Sequence, residues 1–187
     1  HQHLPGGERR RAAHEGWSLV LGELVATLRA NDLAPPQITG GGTGTYALDL
    51  AAGLYTEVQA GSYALMDVEY DACGGPDGEW PFAPALFLAA SVVSAQHATH
   101  TTCDAGHKAL HPNGPAPRVL HPAGSQYRPA GDEHGAILPP GGVGEGDLVW
   151  LQPGHVDPTV ALHDAYLVAD EDGRLERWAI DARRVTP

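Results

Sequence analysis

The 187-residue chain carries 23 Asp and Glu against 11 Lys and Arg, a formal charge of −12 with neutral histidines. That balance argues against an electrostatic grip on nucleic acid or anionic lipid, both of which need clustered cations, and no apolar run reaches the roughly 18 residues of a membrane span. Hydrophobic residues make up 42%, enough for a core, while 24 Gly and 16 Pro require many turns and a strand-rich, loop-rich body.

From Glu8 to Asn31 the residues Ala12, Ala13, Trp17, Val20, Leu21, Leu24, Val25 and Leu28 recur at helical spacing. Asn31, Asp32, Pro35 and Pro36 stop the helix, and the basic cluster Arg9 to Arg11 reads as its solvated first turn. Residues 37–39 (QIT) then predict a short strand running into GGGTGT at 40–45. Residues 46–52 predict one or two helical turns, and 55–60 (YTEVQA) a strand ahead of AGSY at 60–63. This alternation is the rhythm of βα units in a parallel sheet or barrel.

After Pro81 the rhythm changes. Residues 85–96, 99–105 and 147–154 read as strands. AYLVAD and RLERWAI around EDGR read as a hairpin with Asp172 and Gly173 in its turn. The Gly- and Pro-rich stretch 112–146 reads mostly as loop. The expected boundary lies between Trp80 and Pro84, with an α/β region at 1–83 and an all-β region at 84–187. Cys73 and Cys103 stand far apart with no CxxC spacing, so a reducing cytoplasm is the default compartment.

Three stretches carry chemistry. GGGTGT follows a strand and precedes helical turns, where backbone N–H groups and the hydroxyls of Thr43 and Thr45 can meet an anion, although it matches neither a Walker A loop nor GxGxxG. AGSY after the next strand could share the same phosphate, as turns after neighbouring strands do in β/α barrels. In GHVDPTVALHDAY (154–166), His155 and Asp157 on a strand would point to one face and could share a divalent cation. Two ligands are too few for a structural zinc site, so a metal held there would be catalytic; on spacing alone the pair could equally hydrogen-bond a loop. His163 and Asp164 read as supporting or structural residues.

The ordered motifs ITGGGTGTY (38–46), TEVQAGSYALMDVEY (56–70), DAGHKAL (104–110), GDEHG (131–135) and PGHVDPTVALHD (153–164) resemble those of the D-threonine aldolase family over nearly the whole chain. That family comprises metal-activated, pyridoxal-phosphate-dependent enzymes with an alanine-racemase-like barrel. The resemblance implies the last part of a pyridoxal-phosphate-binding β/α (TIM-like) barrel at 1–83 and a β-rich C-terminal domain carrying the metal at 84–187. It implies that Gly42, Thr43, Thr45, Gly61, Ser62 and Tyr63 serve the cofactor phosphate. His155 and Asp157 would hold the divalent ion, manganese or else zinc, cobalt or magnesium.

The implied activity is that of an aldehyde-lyase. It would cleave a small β-hydroxy-D-amino acid such as D-threonine to glycine and an aldehyde, in a cytoplasmic homodimer. The related D-serine and 3-hydroxyaspartate dehydratases resemble the chain less, since they carry Cys where Asp157 stands and GATPT and AGNY where GGGTGTY and AGSY stand. The lysine that forms the Schiff base is expected upstream of His1. No catalytic residue is assigned within the chain, because Lys108 lies in DAGHKAL, where the resemblance makes it structural. The expectation is therefore a C-terminal fragment inactive alone. A dehydratase, a β-hydroxyaspartate aldolase and a remnant acting only as a binding module are the alternatives; a hydrolase using His155 and Asp157 alone would need further ligands.

Overall fold

The computed structural model describes residues 1–76 and 78–183. The chain divides into two compact units, His1–Ala85 and Leu86–Pro187.

The first unit opens with α1 (Gly7–Ala30), whose buried residues Arg10, His14, Leu21 and Val25 fall on one stripe. Arg10 departs from the solvated turn expected for the basic cluster: it is 2% exposed, while Arg9 and Arg11 stay at the surface. Its guanidinium donates to the carbonyls of Leu4 (3.0 Å), Cys73 (3.2 Å) and Gly74 (2.7 Å) and lies 5.7 Å over the Trp80 ring. The cause is the carbonyl end of α3 (Val68–Cys73), which lacks intrahelical partners and suits a planar cation with five donors. At its other end α3 is capped by Asp67, whose carboxylate accepts from the Tyr70 N–H at 2.9 Å.

Between these helices, β1 (Thr39–Gly40) pairs in parallel with β2 (Glu57–Val58), with α2 (Tyr46–Ala52) connecting them. The two strands are shorter than QIT and YTEVQA suggested. A 3₁₀ turn at Ser62–Ala64 follows.

The second unit is built on a closed antiparallel barrel of six strands: β3 (Leu88–Ser94), β4 (Thr101–Cys103), β5 (Arg118–His121), β6 (Gln126–Pro129), β7 (Gly135–Leu138) and β8 (Leu148–Gln152). Around the barrel the order is β3-β4-β7-β6-β5-β8, and β8 returns to β3 through Leu88↔Leu151 to Ser91↔Leu148. The stretch 112–146 is mostly turn and loop as expected, yet it also supplies β5, β6 and β7. Each is four residues long, too short to show a period among Gly and Pro; pairing with distant partners orders them.

Alternate side chains fill the interior, with Val92, Cys103, Val119, Tyr127, Ile137, Val149 and Leu151 buried together. The Tyr127 hydroxyl donates to the Ala105 carbonyl at 2.8 Å, and burial pushes its pKa up to about 12. Tyr127→Phe should cost about 1–2 kcal/mol, because that buried carbonyl loses its donor. Urea unfolding would register this as a lower midpoint at constant slope.

A separate hairpin joins β9 (Ala165–Ala169) to β10 (Leu175–Ala179). Its turn contains Asp172 and Gly173 as expected, with Gly173 at φ +76°. Asp170 organises it by accepting from the Asp172 and Arg174 N–H groups at 2.9 and 2.8 Å. Both cysteines are free and buried. Among the described residues no helix is long and apolar enough to cross a membrane.

Candidate functional site

In the first unit the glycines of GGGTGT are dictated by close neighbours. A Cβ on Gly41, whose φ is +70°, would lie 2.2 Å from Asp49 Oδ2, and one on Gly44 would lie 2.0 Å from the Gln2 carbonyl oxygen. Pressed between these groups, the loop buries Thr43 and Thr45.

Thr43 ties this loop to AGSY, because its hydroxyl oxygen accepts the Tyr63 N–H at 3.0 Å. The fold thereby brings together Gly42, Thr43 and Thr45 with Gly61, Ser62 and Tyr63. Thr43 keeps its own proton available for a further acceptor, and a Cβ built on Gly61 would meet nothing within 4 Å. These features fit a phosphate. Thr45 is different: its hydroxyl donates to Asp49 Oδ2 at 2.6 Å. Beside Thr43 lies a cavity of about 230 Å³ bounded by Tyr46, Val58, Ala60, Tyr63 and Phe82, with Phe82 packed 5.2 Å from the Tyr63 ring.

In the second unit β8 leads through Pro153 and Gly154 to His155, which caps α4 (Val156–Val160). His155 and Asp157 therefore do not share the face of a strand. Pro158 is the reason: it supplies no N–H to a sheet ladder, yet fits the first turn of a helix, where none is needed. The helical start nevertheless brings His155 Nε2 to 3.2 Å from Asp157 Oδ2. Two ligand atoms on one ion, each about 2.1 Å from it, are separated by about 3 Å, so the spacing fits a shared divalent cation.

Among the described residues no group of three or more His, Cys, Asp or Glu side chains could hold a metal together. The pair could supply two protein ligands at most, so any ion there would need further ligands. Asn113, in a stretch read only as loop, lies behind the ring with Nδ2 3.4 Å from His155 Nδ1. Thr159 fixes the turn by donating to the His155 carbonyl at 2.8 Å. His163 Nε2 meets the Ala109 carbonyl at 2.9 Å and Asp164 accepts from Arg183, so both have structural partners.

DAGHKAL and GDEHG pack on one another. The His107 and Lys108 N–H groups donate to the carbonyls of Gly131 and Asp132 at 3.1 and 3.0 Å. The exposed Lys108 ammonium pairs with Glu133. Their hydrogen bond raises the lysine pKa and lowers that of the carboxylate, which commits Lys108 as a cation.

Residues 85–169 match the family model described as "Putative serine dehydratase domain". The chain is 38% identical over 186 residues to D-threonine aldolase of Arthrobacter sp, covering 97% of the chain and 48% of that protein. It is likewise 38% identical over 190 residues to 3-hydroxy-D-aspartate aldolase of Paracoccus denitrificans (strain Pd 1222), with the same coverage. The crystal structure of D-threonine aldolase from Filomicrobium marinum superposes with a TM-score of 0.87 at 31% identity, over 97% of this chain and 51% of that one. D-threo-3-hydroxyaspartate dehydratase from Delftia sp. HT23 shares the fold at TM-score 0.80 and 22% identity, over 95% of this chain and 52% of that one. The chain spans about half the length of the relatives it matches, and over that span it belongs to the D-threonine aldolase family.

Proposed function

We propose that the protein carrying this chain is a pyridoxal-phosphate- and divalent-metal-dependent lyase that cleaves β-hydroxy-D-amino acids of the D-threonine type to glycine and an aldehyde. The observation that carries this reading is the 38% identity to two aldolases over 97% of the chain. The parallel β1–α2–β2 unit supports residues 1–83 as the last part of a β/α barrel, with residues 84–187 as the metal-bearing domain. A homodimer in a reducing compartment completes the reading.

In the cleavage, the β-hydroxyl loses its proton, the Cα–Cβ bond breaks, Cβ leaves as the aldehyde carbon and Cα takes up a proton to become glycine. Bound pyridoxal phosphate supplies an electron sink for the Cα electron pair, and a bound divalent ion a Lewis acid for the β-hydroxyl. The chain's own residues hold and orient. Thr43, whose hydroxyl oxygen accepts the Tyr63 N–H, would donate its hydroxyl proton to the phosphate. His155 Nε2, which here donates to Asp157 Oδ2, would give up that proton to offer a lone pair to the ion, and Asp157 would contribute negative charge beside it. Lys108, committed to Glu133, is not the cofactor-linking lysine, which the reading seeks outside residues 1–187.

Dehydration is the second reading, favoured by the domain match at 85–169. The full-length protein, given pyridoxal phosphate, Mn²⁺ and D-threonine or 3-hydroxy-D-aspartate, should yield glycine and an aldehyde in equal amounts. A 2-oxo acid and ammonia would instead support dehydration. Neither product set with Mn²⁺, Zn²⁺, Co²⁺ or Mg²⁺ would overturn both.

A further inference from the structure

We infer that His14 and Asp49 are positioning residues of the phosphate loop, which hold Thr45 away from the anion and leave Thr43 as the threonine hydroxyl that donates to it. The inference rests on the proposed use of GGGTGT and AGSY for a cofactor phosphate.

A carboxylate beneath an anion-binding loop is a conspicuous choice, since like charges repel. Asp49 is 3% exposed and its Oδ2 occupies the space in which a side chain on Gly41 would begin, 2.2 Å from that Cβ. Two side-chain donors meet it, one at each oxygen. The Thr45 hydroxyl reaches Oδ2 at 2.6 Å, and His14 Nε2 lies 2.8 Å from Oδ1, where the carboxylate accepts and the ring donates. His14 and Thr45 are themselves 5% and 1% exposed, so water does not compete for these bonds. On its other ring nitrogen His14 meets Ser18 Oγ at 3.4 Å, one turn along α1. The backbone repeats the link, with the Asp49 N–H donating to the Thr45 carbonyl at 2.9 Å and the Thr45 N–H closing a turn onto Gly42 at 3.1 Å.

The two threonines of GGGTGT thus differ in hydrogen-bond polarity. Thr45 spends its only proton on Asp49. Thr43 accepts from Tyr63 N–H and retains its proton for the phosphate. Asp49 and His14 act by fixing the path of the loop, not by touching the ligand.

Equilibrium dialysis of the full-length protein against pyridoxal phosphate and against pyridoxal tests this. The two share ring and aldehyde, so the ratio of their affinities isolates the phosphate. Thr43→Val should cut that ratio by about tenfold or more, as expected for a lost hydrogen bond to a charged acceptor, and Thr43→Ser should restore it. Thr45→Val and Asp49→Asn should each lower it by less, and the double variant should be no worse than Asp49→Asn alone, because the pair acts as a unit. Additive losses, or a Thr45→Val loss as large as that of Thr43→Val, would make Thr45 a direct ligand and overturn the inference. An unchanged ratio in Asp49→Asn would overturn it as well. Should Asp49→Asn not fold, the comparison of Thr45→Val with Thr43→Val decides by itself. A wild-type protein that binds both compounds equally would defeat the cofactor reading itself, and that result is distinct from the others.

Discussion

Asp157→Ala is expected to lower Mn²⁺ affinity by about a hundredfold or more and to remove metal-dependent turnover with it. In the proposed site the pair His155 and Asp157, 3.2 Å apart, would supply two ligand atoms, and Asp157 would be the anionic one. Without it a lone imidazole holds a hard cation poorly. The fold should survive, because the Asp157 side chain is 65% exposed and exposed substitutions usually shift stability by less than about 0.5 kcal/mol. Calorimetric titration with Mn²⁺ beside thermal melting separates the two effects. Unchanged affinity, or activity that persists in chelator, would remove Asp157 from the metal. Asp157→Cys should retain an ion but shift preference toward softer ones such as Zn²⁺.

Gly154→Ala should damage both stability and metal binding. A Cβ there would sit 1.8 Å from the Pro115 carbonyl oxygen and 3.0 Å from its carbon. Both are backbone atoms, so no side chain can rotate away, and the segment entering α4 must move. A cost of about 1–3 kcal/mol follows from such overpacking, and His155, the next residue, moves with the segment. The expected result is a lower unfolding midpoint together with weaker Mn²⁺ binding. Gly16→Ala is the control: it lies within α1 with nothing within 4 Å of the new Cβ, so it should stabilise by about 0.5–1 kcal/mol and leave the metal unaffected. Equal behaviour of the two variants would contradict the argument.

Features encoded within a few residues were legible in the sequence. The helix α1, the runs of β3 and β8 and the Asp172–Gly173 turn follow from local periodicity and turn chemistry, although Trp17, Val20 and Leu24 of the expected apolar stripe are exposed and Arg10 and His14 are buried in their place. The glycines of GGGTGT announced a close approach, although not to what. Illegible features depend on partners far along the chain. Arg10 is buried because α3 ends beside it, 63 to 65 residues on. The His14–Asp49 pair spans 35 residues with no pattern joining them. Strands β5 to β7 place only Val119, Tyr127 and Ile137 among the buried core cluster. The helical start at His155 is written locally, in Pro158, against the strand expected there.

The seam of the barrel joins two strands that lie far apart in the chain. The cylinder closes where β8 lies beside β3, with Leu151 paired to Leu88. His155 and Asp157 come directly after that last strand, on a turn whose approach is shaped by Pro115. In the proposed site, an ion held by His155 and Asp157 would therefore sit directly beyond the strand that closes the cylinder.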